Sequence, residues 1–294
     1  MTSGPWAPRV VPFFVWIVVM AGEGFLRGPW PWTWPILYAA KCLAVGWLLW
    51  RYRRWIPEVN WRFHWTVLPS AVFLLVGWIC LGWWMAGEFA LRLDALLAGD
   101  PAGTVLQYPE SQARPALAMA EPTFFQQLQQ RWLPAFFYGA VLLKLIGMAL
   151  LVPMFEELFT RSALLRALNK WHRTKVGIIQ FACDVPILGE RVFHTRIGEA
   201  ATREPPALTE QLKNTTVGVM GATGVIGSTV LFASWHAPRD WPGAVLCGLV
   251  WCLLLWWTNR GDNKLGLGPV IWSHALVNAL LWGYTLWSGD WQFL

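Results

Sequence analysis

The chain has 294 residues, of which 56% are hydrophobic and only 14% charged, with a mean hydropathy of +0.40. A domain surrounded by water carries roughly 25% charge, so an ordinary soluble protein is excluded. The net charge of +6 does not point to nucleic acid, because the basic residues sit beside apolar runs and no basic stripe interleaves with exposed aromatics.

Tryptophan is the outlier, at 24 residues. Its amphipathic ring favours the headgroup zone of a bilayer, whereas a soluble core would have to find a partner for each indole N–H. The five cysteines, Cys42, Cys80, Cys183, Cys247 and Cys252, form no CxxC pair, and four lie in strongly apolar stretches. They read as small buried apolar residues and not as a disulfide framework or a metal site.

In chain order, Arg9 precedes a first apolar run with no small-residue cleavage site after it, and Glu23 stands where a signal peptide would be ending. An uncleaved first span is expected. A span needs about 20 mostly apolar residues, and seven stretches qualify: 10–26, 32–50, 67–86, 133–155, 217–235, 244–258 and 270–287. The expected class is all-α, a polytopic transmembrane helical bundle of about seven to eight spans. Basic residues follow the second span (Arg51, Arg53, Arg54, Arg62), the fourth (Arg161, Arg166, Lys170, Arg173, Lys175) and the sixth (Arg260, Lys264). If the spans alternate, all three clusters share one side. The positive-inside rule makes that side the cytoplasm and puts the N-terminus there; the expected location is a bacterial cytoplasmic membrane.

Two connections are long. Residues 87–132 contain Asp100-Pro101 and Glu121-Pro122, which are turn or helix-start signals. Residues 167–216 are polar and basic, with short apolar patches at 176–182 and 185–188. The division expected is an accessory part, 1–132, of N-terminal spans and outward loop, and a core, 133–294, into which 167–216 is inserted. Gly218, Gly221, Gly224 and Gly227 recur every third residue in the fifth span. A face of small residues lets helix backbones approach closely in lipid; a nucleotide loop is disfavoured, because there is no GxGxxG and no βαβ setting.

Ionisable groups within a membrane cost about 2.5–3.5 kcal/mol each on insertion scales and need partners or a function. Three patches concentrate them. In the first, Glu156 and Glu157 are adjacent just after Pro153, with Arg161 one turn on. Glu157 and Arg161, four apart, can pair along one helix face, which leaves Glu156 to face a cavity, where a carboxylate can take a proton from water. The plain alternative is an interfacial acid pair with a snorkelling arginine. In the second, Phe232 and His236 share a helix face at the end of a span; a lone interfacial histidine is the alternative. In the third, His274 and Asn278 are four apart early in the last span. Two such donors suit an oxyanion on a scissile carbonyl, or equally an interhelical hydrogen-bonded pair that glues spans together. Glu23, Lys41 and Lys144 also lie within spans. Glu23 and Lys41 are expected to approach each other, since consecutive spans are usually neighbours, and stand outside the reactive set.

EExxxR, FxxxH and HxxxN in that order on successive membrane helices resemble the CAAX-protease and bacteriocin-processing (CPBP) family, the Rce1-like or Abi intramembrane proteases. The resemblance covers the second half of the chain. By matching position it implies that Glu156 is the general base activating water, that His236 holds and polarises that water, and that His274 and Asn278 stabilise the oxyanion. Glu157 and Arg161, with Phe232, would support the site. It implies an intramembrane endopeptidase of the glutamic type, acting near the C-terminal region of a membrane-associated or lipidated protein or peptide, without a metal cofactor. The residues alone leave a zinc site on Glu156, His236 and His274 open, although these come from three separate helices and no HExxH fixes two ligands on one face. The expected partners are membrane lipids and a membrane-borne protein or peptide substrate.

Two departures from the family pattern stand out. The connection 167–216 is longer than usual, which suggests an inserted cap or substrate-gating segment. Simple alternation also puts Glu156 near the inner side and His236 near the outer side, so either Pro153 breaks the fourth span or the loop re-enters the membrane. The competing readings are a catalytically silent scaffold or bacteriocin self-immunity protein of the same fold and, less well supported because no internal repeat is evident, a transporter.

Overall fold

The computed structural model describes residues 4–27, 33–97, 99, 134–186, 188–262, 264–290 and 293, and among these all regular structure is helical. The turn signals at Asp100-Pro101 and Glu121-Pro122 lie outside the described residues. Each expected apolar stretch overlaps a helix, the fifth only from Ala222 onward. The first three are α1 (Ala7–Arg27), α2 (Thr33–Tyr52) and α3 (Val67–Met85), followed by the short α4 (Phe89–Leu97). The fourth is α5 (Phe136–Ala167). The inserted segment folds as α6 (Trp171–Asp184), α7 (Leu188–Phe193), α8 (Arg196–Thr202) and α9 (Ala207–Asn214). The last three are α10 (Ala222–Ser234), α11 (Trp241–Asn259) and α12 (Gly268–Ser288).

Helices at Val67–Met85, Phe136–Ala167 and Pro238–Asn259 are long and apolar enough to cross a membrane. Their outward faces carry large apolar residues such as Val72, Phe73, Leu142 and Leu253, the arrangement of a bundle solvated by lipid. The protein is an integral membrane protein.

α5 corrects the expected geometry. Pro153 does not break it. The helix runs unbroken for 32 residues, and widens into π-helical turns at Gly147–Leu151 and Leu158–Leu164. In the first of these, the Val152 N–H bonds the Gly147 carbonyl, five residues back. In that register the Met148 carbonyl is owed the N–H of residue 153, which proline lacks. The resulting acceptor faces α12, where Asn278 meets it.

α10 is short, 13 residues, and starts beside the far end of α5. A Cβ on Gly224 would come within 2.5 Å of the Leu165 carbonyl oxygen, and one on Gly227 within 2.8 Å of Leu168. The small-residue face therefore does pack closely. Gly218 departs from the expected stripe: it precedes the helix with φ +89° and abuts Asn259. Because α10 begins at the level of Leu165 and runs back along α5, its end returns to the level of Glu156.

Two polar ties brace this end of the bundle. Glu58, in the connection between α2 and α3, pairs with Arg9 of α1 at 2.6 Å and approaches Arg166 of α5 at 3.6 Å. Arg166 donates to the carbonyls of Leu212 and Thr215 at 2.6 Å each, so the insert is pinned to the end of α5. α6 packs on α7, α8 and α9, and Arg173 pairs with Glu204 inside the insert.

Candidate active site

The three patches converge. Glu156, His236, His274 and Asn278 line one cavity of about 350 Å³, walled by rings that include Trp16, Trp78, Phe232, Trp251 and Trp282. Along α5 the lining residues are Lys144, Met148, Val152 and Glu156, four apart and on one face. α1 contributes Trp16, Met20 and Glu23, and α2 contributes Trp34, Tyr38 and Lys41, both with the i, i+4, i+7 rhythm of a single face. Among the described residues none of 168–216 lines the cavity, so the expected cap is placed away from it, against the end of α5.

Glu156 Oε2 lies 3.8 Å from His274 Nε2. The opposite ring nitrogen, Nδ1, is 2.8 Å from Glu157 Oε1, so His274 stands between two carboxylates. A carboxylate accepts, and Nδ1 therefore carries the hydrogen. A neutral ring then turns a bare Nε2 toward Glu156, whereas a protonated ring can donate from Nε2 while still bonded to Glu157. Trp251 stacks on the ring at 4.2 Å between centroids and 23° between planes, which leaves it little freedom to tilt.

His236 is oriented by its own helix. Its Nδ1 is 2.9 Å from the Phe232 carbonyl, and a carbonyl only accepts, so Nδ1–H is the donor and Nε2 is the acceptor of the neutral ring. Phe232 forms the floor between the two histidines, with centroids 4.7 Å from His236 and 6.5 Å from His274.

Glu157 and Arg161 form the expected pair, at 3.3 Å, with both side chains fully buried. Arg161 also donates to Thr160 Oγ1 at 2.6 Å and to the Gly248 carbonyl at 3.4 Å. Its guanidinium lies 4.8 Å from the Phe232 centroid and 5.5 Å from that of Trp251. A buried charge needs this enclosure by partners. The supporting residues thus form one chain of contact, from Arg161 through Glu157 to His274.

Asn278 donates to the Met148 carbonyl at 2.8 Å, which is the acceptor that Pro153 leaves without a helical donor. One amide hydrogen and Oδ1 remain for the cavity. Trp251, Gly248 and Met148 carry no motif signal: Trp251 and Gly248 lie in a uniformly apolar helix, and Met148 acts through its backbone. Pro153 was visible in the sequence, but its consequence at Met148 depends on the π register. Among the described residues no three His, Cys, Asp or Glu side chains are grouped closely enough to hold a metal ion.

Residues 205–280 match the family model described as Type II CAAX prenyl endopeptidase Rce1-like. The matched stretch contains Phe232, His236, His274 and Asn278; Glu156, Glu157 and Arg161 precede it. Searches of curated proteins and of solved structures returned no match.

Proposed function

We propose, from the Rce1-like character of residues 205–280, that the protein is an intramembrane endopeptidase of the glutamic type that cuts a membrane-associated or lipidated protein or peptide near its C-terminal region. It would act in a bacterial cytoplasmic membrane with its N-terminus in the cytoplasm. The observation that carries this reading is the 3.8 Å approach of Glu156 Oε2 to His274 Nε2 in the cavity that His236 and Asn278 also line. Side chains from distant parts of the chain are gathered at a depth where unpaired ionisable groups are costly.

The residues divide the work as follows. A water between Glu156 and the bare Nε2 of His236 attacks the scissile carbonyl, and Glu156 takes its proton. When its ring carries a proton on both nitrogens, His274 can donate from Nε2 to the developing oxyanion, and the remaining amide hydrogen of Asn278 is a second donor. Glu157 keeps Nδ1–H of His274 engaged and so fixes which nitrogen faces the substrate. Glu156 then returns its proton to the leaving amine as the C–N bond breaks, giving a new carboxyl end and a new amino end. No metal takes part in this scheme.

The test is cleavage of fluorescence-quenched tail peptides, prenylated and unmodified, by protein in vesicles. Glu156→Gln is expected to reduce kcat by roughly 100- to 10,000-fold while leaving the folded protein intact by circular dichroism. Equal cleavage by both forms removes Glu156 from the mechanism. Loss of activity on dialysis against a chelator, restored by zinc, replaces the metal-free scheme with a zinc site on Glu156, His236 and His274.

A further inference from the structure

Lys41 Nζ lies 2.7 Å from Glu23 Oε2, and both side chains are more than nine-tenths buried. The expected approach of these residues is therefore real, but they do more than neutralise each other out of sight. Both line the cavity that holds Glu156. Lys41 is confined: its ammonium sits 4.3 Å from the Trp16 centroid and 4.6 Å from that of Tyr38. Glu23 is not saturated: among the described residues its second oxygen, Oε1, is buried and has no hydrogen-bond partner. The pair carries no net charge, so the unmet demand is for an N–H or O–H donor. A carboxylate brought there would meet a like charge.

The level of this acceptor along the cavity follows from the packing of α2 on α5. The Tyr38 hydroxyl donates to the Lys144 carbonyl at 3.2 Å, a Cβ on Gly147 would run into the Tyr38 ring, and Gly46 lies beside Leu151. The two helices therefore run in the same direction here, and Lys41 sits near the level of Met148. Eight residues of helix separate Met148 from Glu156, about 12 Å at 1.5 Å per residue. An extended peptide rises about 3.3 Å per residue and covers that distance in three to four residues. The walls between are apolar, as an extended chain with apolar side chains requires.

We propose that Glu23, held in place by Lys41, is a substrate-binding acceptor that takes a backbone N–H of an extended peptide, three to four residues from the bond being cut. The assignment rests on the peptidase reading of the same cavity. It makes α1 and α2, which lie outside the family match, the part of the chain that selects where along a substrate the cut falls.

The experiment uses the full protein in vesicles and the fluorescence-quenched tail peptide, with each backbone amide in turn replaced by an ester, which removes one N–H and keeps the chain's shape. In the wild type, one ester three or four residues from the cut is expected to raise KM at least tenfold while kcat changes less than threefold. In Glu23→Gln, whose amide turns a donor toward the peptide, the all-amide substrate is expected to lose the same tenfold in KM, and the ester at that position to recover most of it. A flat ester scan overturns the proposal. So does a Glu23→Gln effect that is equal at every position and tracks a loss of thermal stability. If the wild type cleaves none of the peptides, the peptidase reading fails, and the same series is read by quenching of tryptophan fluorescence on binding. A position-dependent loss of binding then keeps the Glu23 acceptor, and no binding removes it as well.

Discussion

Two buried acid–base pairs serve the same site and are built differently: one stands behind the cavity wall and the other lines the cavity. Glu157 and Arg161 are four apart on one helix, sealed from solvent and wrapped by Thr160, Gly248, Phe232 and Trp251. Glu23 and Lys41 come from two helices and, among the described residues, leave one buried carboxylate oxygen without a hydrogen-bond partner. The first pair lies outside the cavity lining and holds His274 through Glu157. The second is part of the cavity lining. In this molecule the pair behind the wall acts as a support, and the pair on the wall is the one a ligand can meet.

Breaking the sealed pair should have the largest effect. Arg161→Met leaves Glu157 buried without its counter-charge and is expected to cost about 3–5 kcal/mol, measured as loss of unfolding free energy in mixed micelles, with activity falling together with stability. A loss under about 1 kcal/mol would mean that Glu157 does not depend on Arg161. Lys41→Met should cost less, about 1–3 kcal/mol, because Glu23 is part of the cavity lining, where another donor can approach it, whereas Glu157 is not. Equal losses for Arg161→Met and Lys41→Met would erase the distinction between the pairs.

The smallest effect expected on stability is that of Asn278→Ala, about 1–2 kcal/mol, from leaving the Met148 carbonyl without a donor. The variant also separates two duties of one side chain. If Asn278 only caps α5, activity per folded molecule survives; if its second amide hydrogen serves the oxyanion, kcat falls by roughly 100-fold or more. Hydrogen–deuterium exchange around Gly147–Leu151 reads the structural part independently of turnover.

Several of these features could be read before any coordinates. The Glu157–Arg161 spacing implied a pair on one helix face, and His274 and Asn278, four apart in an apolar span, implied an inward-facing polar stripe. Glu23 and Lys41 in consecutive spans implied each other. The arrangement of Glu156 and His236 could not be read this way. Alternating spans of equal length put them on opposite sides, whereas α5 is 32 residues long and α10 is 13. Hydropathy reports how apolar a helix is and not where its neighbour begins. Trp251, one apolar residue among many in α11, and the Met148 carbonyl left no trace in the pattern at all.

By itself the sequence determined that the chain is helical and membrane-embedded, and which few polar residues had to find partners there, because the cost of an unpaired charge in lipid is paid residue by residue whatever the fold. Only the tertiary structure decided which partners they found. The widening of α5 on either side of Glu156, the antiparallel return of α10 along it and the stacking of Trp251 on His274 arise from packing between segments far apart in the chain, and no local pattern encodes a distance between helices.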